Sequence, residues 1–438
     1  STYKDLLQVS NSNSGVDATL RTVEDGEGTS AGVQLSTTDT SFNGNYILKE
    51  QGRQNQIPNT MPAPYYRFDG TNDYISLGTD AKLDITVAIS LSSWVRGHSS
   101  GGDISFFIIA RDDDATHQQY FINFSSSALS FRIFDGGSAQ TVSYSVDLRD
   151  DKWHHVAGTY DGSNLKLYLD GVEVATQAYS GNIDSESTNE STFIGQRGDN
   201  ARRMYGDIAQ AQIFNLALNA TEIKNLYSGE SLPYKYKSAR NTSLVADYAN
   251  KTGDFGGTTS SDGSITSWTS TTDLRAAMTL TTAMVKGKTY TIQFDLSASM
   301  PSGVYCVVST NTNLSGNRTV LFSHGQSSGT FTTTIVALDN WTQFGFVNGF
   351  LNTAGVSLPN VTNMYIREEG CVAEFDGSGI ASDKWLDKSG NDLHGTVTTA
   401  DVTNAPSGDD GLVYEEGVHE VAVTGQTSGS WTTTSDSG

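Results

Sequence analysis

Two adjacent histidines, a run of arginines and many carboxylates are the residues in this chain that could do chemistry. His154 and His155 are the side chains best suited to a transition metal. Neighbours on a strand point to opposite faces, so these imidazoles do not converge on one ion unless a bulge intervenes. A packed or hydrogen-bonded role beside Trp153 is expected instead. The stretch Arg197-Gly198-Asp199-Asn200-Ala201-Arg202-Arg203 gathers three arginines in an acidic chain. Their planar forks suit bidentate contacts to an acidic glycan or an acidic neighbouring subunit, or neutralisation of nearby acidic turns. Glycoside hydrolysis needs two carboxylates at a defined separation, one with a raised pKa. Acids are plentiful, yet no spacing or aromatic flank selects such a pair, so the chain is not expected to be an enzyme. Cys306 and Cys371 each sit in an apolar, strand-like run. Two buried free thiols are expected, a single disulfide is the alternative, and neither fits a zinc pattern.

The elements that must position these residues are strands. From Trp153 to Gly171 two strands are joined by Asp161-Gly162-Ser163-Asn164. Leu165, Leu167 and Leu169 then alternate with Lys166 and Tyr168, the period of a half-buried strand. Asp170-Gly171 before Val172-Glu173-Val174 is a two-residue hairpin signal. Similar strand candidates recur from Ile85 to Phe214. Asn219 with Glu222 marks a capping box for one short helix, Ala220 to Tyr227, with Gly229 at its stop. Further on, Tyr290, Ile292, Phe294 and Leu296 alternate with Thr291, Gln293 and Asp295. Val304, Cys306 and Val308 alternate likewise, as do Phe331, Thr333 and Ile335, and Phe344 with Phe346.

The fold class read from this is all-β: a jelly-roll sandwich over 63–230, a second β-sandwich over 231–375, and extended N- and C-terminal segments, 1–62 and 376–438. Only 36% of the 438 residues are hydrophobic while 10% are aromatic, which fits turn-rich β modules held by a few large rings. The turn-rich 1–62 lacks the apolar area to order itself alone and is expected to dock on a partner protein. A formal charge of −22 argues against nucleic acid and anionic membranes as partners. No apolar run reaches the length of about 20 residues that spans a bilayer, and no signal peptide is read at the N-terminus.

Five pieces carry a family resemblance. Phe68-Asp69-Gly70-Thr71-Asn72-Asp73-Tyr74-Ile75, Trp153 to Gly171, Phe193-Ile194-Gly195, Tyr205-Gly206-Asp207-Ile208 and Leu218 to Ile223 occur in the order of the laminin-G-like, concanavalin-like lectin family. The region from Tyr65 to Gly229 resembles that family. The second sandwich is similar in pattern to jelly-roll carbohydrate-binding modules. What the resemblance implies is a fold that serves glycan binding, calcium binding, adhesion or scaffolding. Calcium would be held by loop oxygens, with Asp69, Asp73, Asp112, Asp113 and Asp114 as candidates, against solvated turn acids as the alternative. Where the family reads Gly-x-Ile-Asp, this chain has Gly206-Asp207-Ile208-Ala209, so the family's carboxylate is missing there. A glycan would lie on an aromatic platform, with Tyr120, Tyr179, Tyr205 and Trp268 as candidates and Arg197, Asn200, Arg202 and Arg203 as polar contacts.

Residues 25–37 resemble the N-terminal portion of bacteriophage virion fibre and appendage proteins. The stretch Trp385 to Val397 resembles a recurrent piece of phage tail and minor structural proteins, and Tyr414 to Gly417 with Gly429 to Thr432 resembles a run leading into another β-module. These resemblances imply a virion appendage: a tail fibre, or a head fibre or capsid decoration protein. It would be made in the host cytoplasm, attached to other virion proteins through 1–62, and displayed on the particle as a homotrimer that adheres to host-surface polysaccharide. The alternatives are a cementing protein that binds no sugar and a glycan depolymerase.

Overall fold

Alternation of apolar and polar side chains decides the architecture, because each strand buries one face and leaves the other to water. The computed structural model describes residues 8–9, 17–19, 21–24, 30–37, 40–42, 64–99, 106–112, 118–186, 190–198, 202–230, 233–245, 251–252, 268–269, 275–312, 314, 317–348, 356–381 and 383–403. Every count of elements refers to these residues. The chain divides into two units, Ser1–Asn55 and Gln56–Gly438. In the first, Gln8–Val9, Arg21–Glu24, Ser30–Leu35 and Thr40–Phe42 pair antiparallel in chain order. Paired strands therefore occur within the stretch read from sequence as an extended attachment segment.

The second unit holds two sandwiches. In the first sandwich, sheet I runs Ser138–Tyr144, Leu129–Asp135, Gln118–Phe124, Phe106–Asp112, Thr192–Ile194, Tyr74–Gly78, Gly395–Thr398 and Lys384–Trp385. Sheet II runs Val172–Ala178, Asn164–Leu169, His154–Tyr160, Ile89–Gly97, Tyr205–Phe214, Tyr65–Asp69 and Asp401–Thr403, with Cys371–Glu374 also paired to Tyr205–Phe214. Inward residues of both sheets, such as Phe68, Leu91, Ile122, Phe131 and Val156, form one buried core. The sheets pack tightly at Gly158, where a Cβ would stand 2.3 Å from the Phe131 ring. The Asp170-Gly171 turn takes positive φ at both residues, 50° and 77°, as its sequence demands. The helix Ala220–Tyr227 closes the outer face of sheet II, burying Ile223 and Leu226 beside Phe214 and Tyr168.

The boundary read at 375/376 moves. Cys371–Glu374, Gly395–Thr398 and Asp401–Thr403 are strands of the first sandwich, paired to Tyr205–Phe214, Tyr74–Gly78 and Tyr65–Asp69. Trp385 is fully buried against Tyr66 and Phe375, at ring separations of 5.2 and 5.4 Å. Asp387 ties the segment down, accepting from the amides of Glu374, Ser389 and Leu393 at 2.9–3.1 Å. The second sandwich is thus an insertion between the helix and Cys371. Its sheet III is Lys251–Thr252, Arg275–Thr279, Gln343–Asn348, Val304–Ser309 and Arg318–Phe322; its sheet IV is Gly329–Val336, Thr289–Leu296 and Val361–Glu369. Tyr290, Ile292, Phe294, Cys306, Phe344 and Phe346 meet between them, as their alternation requires. Cys306 lies in this core and Cys371 beneath the helix of the other sandwich, and both are free thiols.

The way out and the way back run side by side. The Ala239 amide donates to the Cys371 carbonyl at 3.0 Å. Buried Asn215 brackets the return, its Nδ2 donating to the Glu368 carbonyl and its Oδ1 accepting from the Gly370 amide, both at 2.8 Å. Gly370 sits so close to Tyr236 that a Cβ would fall 2.4 Å from its carbonyl oxygen.

Candidate functional site

Where the inserted sandwich leans on its host, a cleft of about 450 Å³ opens. One wall is the outer face of sheet IV. Cross-strand register sets its side chains in rows: Thr334, Thr291 and Arg367 in one, Thr332, Gln293 and Tyr365 in the next. Thr289 and Glu369 stand in the row beyond. The opposite wall, from the first sandwich, is mostly aliphatic, with Val87, Ala88, Leu216 and Ala217, and carries one carboxylate, Asp161.

The polar wall is partly satisfied within itself. Gln293 Oε1 accepts from the Thr332 and Tyr365 hydroxyls at 3.1 and 3.2 Å. The hydroxyls of Thr291 and Thr334 share a 2.8 Å hydrogen bond. Arg367 donates through Nε and a terminal nitrogen to Glu369 Oε1 at 3.3 and 3.1 Å, and its guanidinium lies 5.5 Å from the Tyr365 ring centre. Burial pushes the Glu369 carboxyl above its ordinary range, with the Arg367 charge opposing. Two groups are left over. The Thr289 hydroxyl is buried without a partner, and Gln293 Nε2 donates to no other described side chain. An unpaired buried hydroxyl is costly. One wall of hydroxyls, an amide and a tyrosine ring facing one of methyl groups suits a ligand with C–H faces and hydroxyl edges.

Residues 69–224 match the family model of the Concanavalin A-like lectin/glucanases superfamily. Over this stretch the chain has a concanavalin-like β-sandwich fold. Similar solved structures include a heptameric SAP-like pentraxin from Limulus polyphemus, at 15% identity over 38% of this chain and 82% of that one, TM-score 0.31. A putative carbohydrate binding protein from Bacteroides ovatus is similar at 16% identity over 38% of this chain, TM-score 0.30, and the chain spans 47% of its length. The CBM40 of a Ruminococcus gnavus IT-sialidase bound to α2,3 sialyllactose is similar at 14% identity over 38% of this chain and 100% of that one, TM-score 0.30. No curated protein matches the chain.

Within the lectin-like domain, the residues picked from sequence fall apart as a site. Tyr120 is fully buried, its hydroxyl donating to the Leu83 carbonyl at 2.8 Å, so it is core and not a platform. Tyr179 is half-buried and donates to Asp135 Oδ2 at 2.5 Å. Tyr205 packs edge-on to His98 at 5.3 Å. Arg197 is 4% exposed with its guanidinium 5.4 Å from the Phe107 ring centre, so it does not offer itself to solvent. Arg203 is turned back onto the Thr71 carbonyl, and Arg202 alone of the three is exposed. Asn200, Asp113 and Asp114 lie outside the described residues. Trp268 forms a two-stranded ladder with Ser357–Leu358.

The acids read for calcium serve their own turns. Asp69 Oδ1 accepts from the amides of Thr71 and Asn72, and Asp73 Oδ2 from the Asp69 amide at 2.7 Å. Asp112 is 1% exposed. No cluster of three or more metal-ligating side chains occurs among the described residues. The two histidines separate as strand geometry requires: His154 pairs with Asp170 and Asp150, while His155 Nε2 is bonded to Ser92 Oγ at 2.9 Å. None of the described residues among those chosen from sequence lines the cleft.

Proposed function

We propose that this chain is a carbohydrate-binding protein of a bacteriophage particle surface, a tail fibre or a head fibre or decoration protein, which holds a host-surface glycan without cleaving it. The observation that carries the sugar-binding part is the cleft: hydroxyl and amide groups in register on one wall, the Tyr365 ring among them, and methyl groups on the other. The concanavalin A-like lectin domain supports the same reading at the level of fold. Placement on a virion is supported by the resemblances of residues 25–37 and 385–397, and attachment through 1–62 and homotrimerisation complete it. Weak single sites would then be multiplied by display in several copies.

A glycan array probed with the full chain tests the binding. Binding to a host-surface polysaccharide is expected, weakened about 2- to 10-fold by Gln293→Ala or Thr334→Val, the loss of one or two neutral hydrogen bonds. Silence across the array returns the protein to a purely cementing role. Immunogold labelling of intact particles tests the placement, and unlabelled particles refute it. A depolymerase is the second reading, favoured by the raised Glu369 carboxyl across from Asp161. New reducing ends on host polysaccharide, lost in Glu369→Gln, would establish it.

A further inference from the structure

The charge arrangement in the cleft selects among sugars. We infer that the cleft takes an uncharged saccharide and turns away its acidic counterparts, those bearing sialic acid, uronic acid or other anionic groups. The inference rests on the glycan-binding reading and adds to it the chemical class of the ligand.

Three ionisable carriers of formal charge line the cleft among the described residues: Arg367, Glu369 and Asp161. The single cation is already committed. Arg367 gives Nε and a terminal nitrogen to Glu369 Oε1, and both side chains are close to fully buried, at 10% and 6% exposed. Drawing the guanidinium toward an anionic ligand would leave Glu369 a buried, unpaired carboxylate, which costs more than a surface ion pair returns. The facing wall offers no compensating cation, and its one charge, Asp161, repels an anion. Asp161 Oδ1 accepts from the amides of Ser163 and Asn164 at 2.8 and 2.7 Å, so the carboxylate is held at the cleft by its own turn.

The groups that remain open to a ligand are neutral. They are Gln293 Nε2, the free lone pairs of the Thr291, Thr332 and Thr334 hydroxyls, and the one proton that the Thr291–Thr334 hydrogen bond leaves over. Together they can donate to and accept from sugar hydroxyls, and none carries a charge to neutralise a carboxylate. The net formal charge of −22 on the chain acts in the same direction at long range.

The test is titration calorimetry on the full chain at low ionic strength, with matched pairs drawn from a glycan array: lactose against sialylated lactose, and a glucose oligomer against the corresponding glucuronic acid oligomer. The neutral member of a pair is expected to bind at least about tenfold more tightly, with the gap narrowing as salt is added. Asp161→Asn keeps the side-chain oxygen that caps the turn and removes the charge, so it should narrow the gap about fivefold. Glu369→Gln frees Arg367 and should narrow it further. Equal or tighter binding of the acidic member overturns the inference while leaving glycan binding intact. An unchanged ratio in both variants overturns it as well. Binding of no array member refutes the glycan-binding reading itself, and this inference with it.

Discussion

Burial of an imidazole beneath the helix Ala220–Tyr227 makes the fold acid-sensitive at one position. His155 is 2% exposed, packed against the rings of Trp94 and Tyr227, and burial pushes its pKa down to about 4 despite the Asp170 charge. In the unfolded chain the same ring titrates near 6.5. Between those values the unfolded state binds a proton that the folded state refuses, so the stability His155 supports is complete above about pH 6.5 and declines as the pH falls toward 4. The full loss is on the order of 3 kcal/mol. His154 acts in the opposite sense. Burial alone would lower it, but Asp170 and Asp150 together raise it, so its contribution is present at low pH and fades as the pH rises through its folded value. His155→Gln isolates the first effect. Its urea midpoint should change less between neutral pH and about pH 4 than that of the parent, and an equally steep decline in the variant would assign the acid sensitivity elsewhere. Ala209, where the lectin family carries an acid, packs beside Trp94 and Trp153. The nearby buried carboxylate is Asp207, held by Arg67 and Arg96 at 3.0 and 2.6 Å.

At the scale of elements, the eight-residue helix is too short to persist alone. It is held by its buried face and its cap. Asn219 Oδ1 accepts from the Thr221 and Glu222 amides, and Glu222 Oε2 from the Asn219 amide, all at 3.0 Å. Asn219→Ala should cost about 1 kcal/mol in chemical denaturation and perturb the near-ultraviolet signal of Trp94, which stacks on Tyr227 at 5.6 Å. An unchanged midpoint would mean that burial alone holds the helix. This cap was legible because everything it needs lies within four residues. So was the alternation of Tyr290 to Leu296, which already separates the core face from Thr291, Gln293 and Asp295. The third strand of sheet IV was not legible. In Val361–Glu369 the pairing shifts register opposite Gln293 and Asp295, and Asn363 takes φ of 49°, so the two-residue period is broken where it would have been read. The cleft demands more still, since it brings Val87 and Leu216 opposite strands of a later sandwich, and no sequence window spans that. Tyr120 misled for the converse reason. Its aromatic ring fits a platform, but strand phase within Gln118–Phe124 points it inward.

For the whole molecule, the discontinuous first sandwich carries the sharpest consequence. Its sheets are completed by residues 371–403, which arrive only after the inserted sandwich has been made, so the lectin-like domain pairs strands from both ends of the unit. The stretch Trp385 to Val397 thereby has a folding role of its own, whatever its resemblance to phage proteins. Ending the chain after Glu369 would remove Trp385 from the core and strip one of the two partner strands from each of Tyr65–Asp69 and Tyr74–Gly78. Loss of a buried tryptophan alone costs about 3–5 kcal/mol, a large share of a domain's stability of about 5–15 kcal/mol, so that truncation should be insoluble or lack a cooperative melt. Excising residues 242–369 should be far milder. The two ends are already neighbours through the Ala239 to Cys371 hydrogen bond, and a short glycine-serine bridge from Asn241 to Gly370 closes a loop that the fold has in effect formed. The excised form should melt cooperatively with an intact near-ultraviolet spectrum, and it should lose cleft-dependent glycan binding because the polar wall is gone. If the truncation folds as well as the excision, residues 371–403 are an accessory to the first sandwich and not part of it.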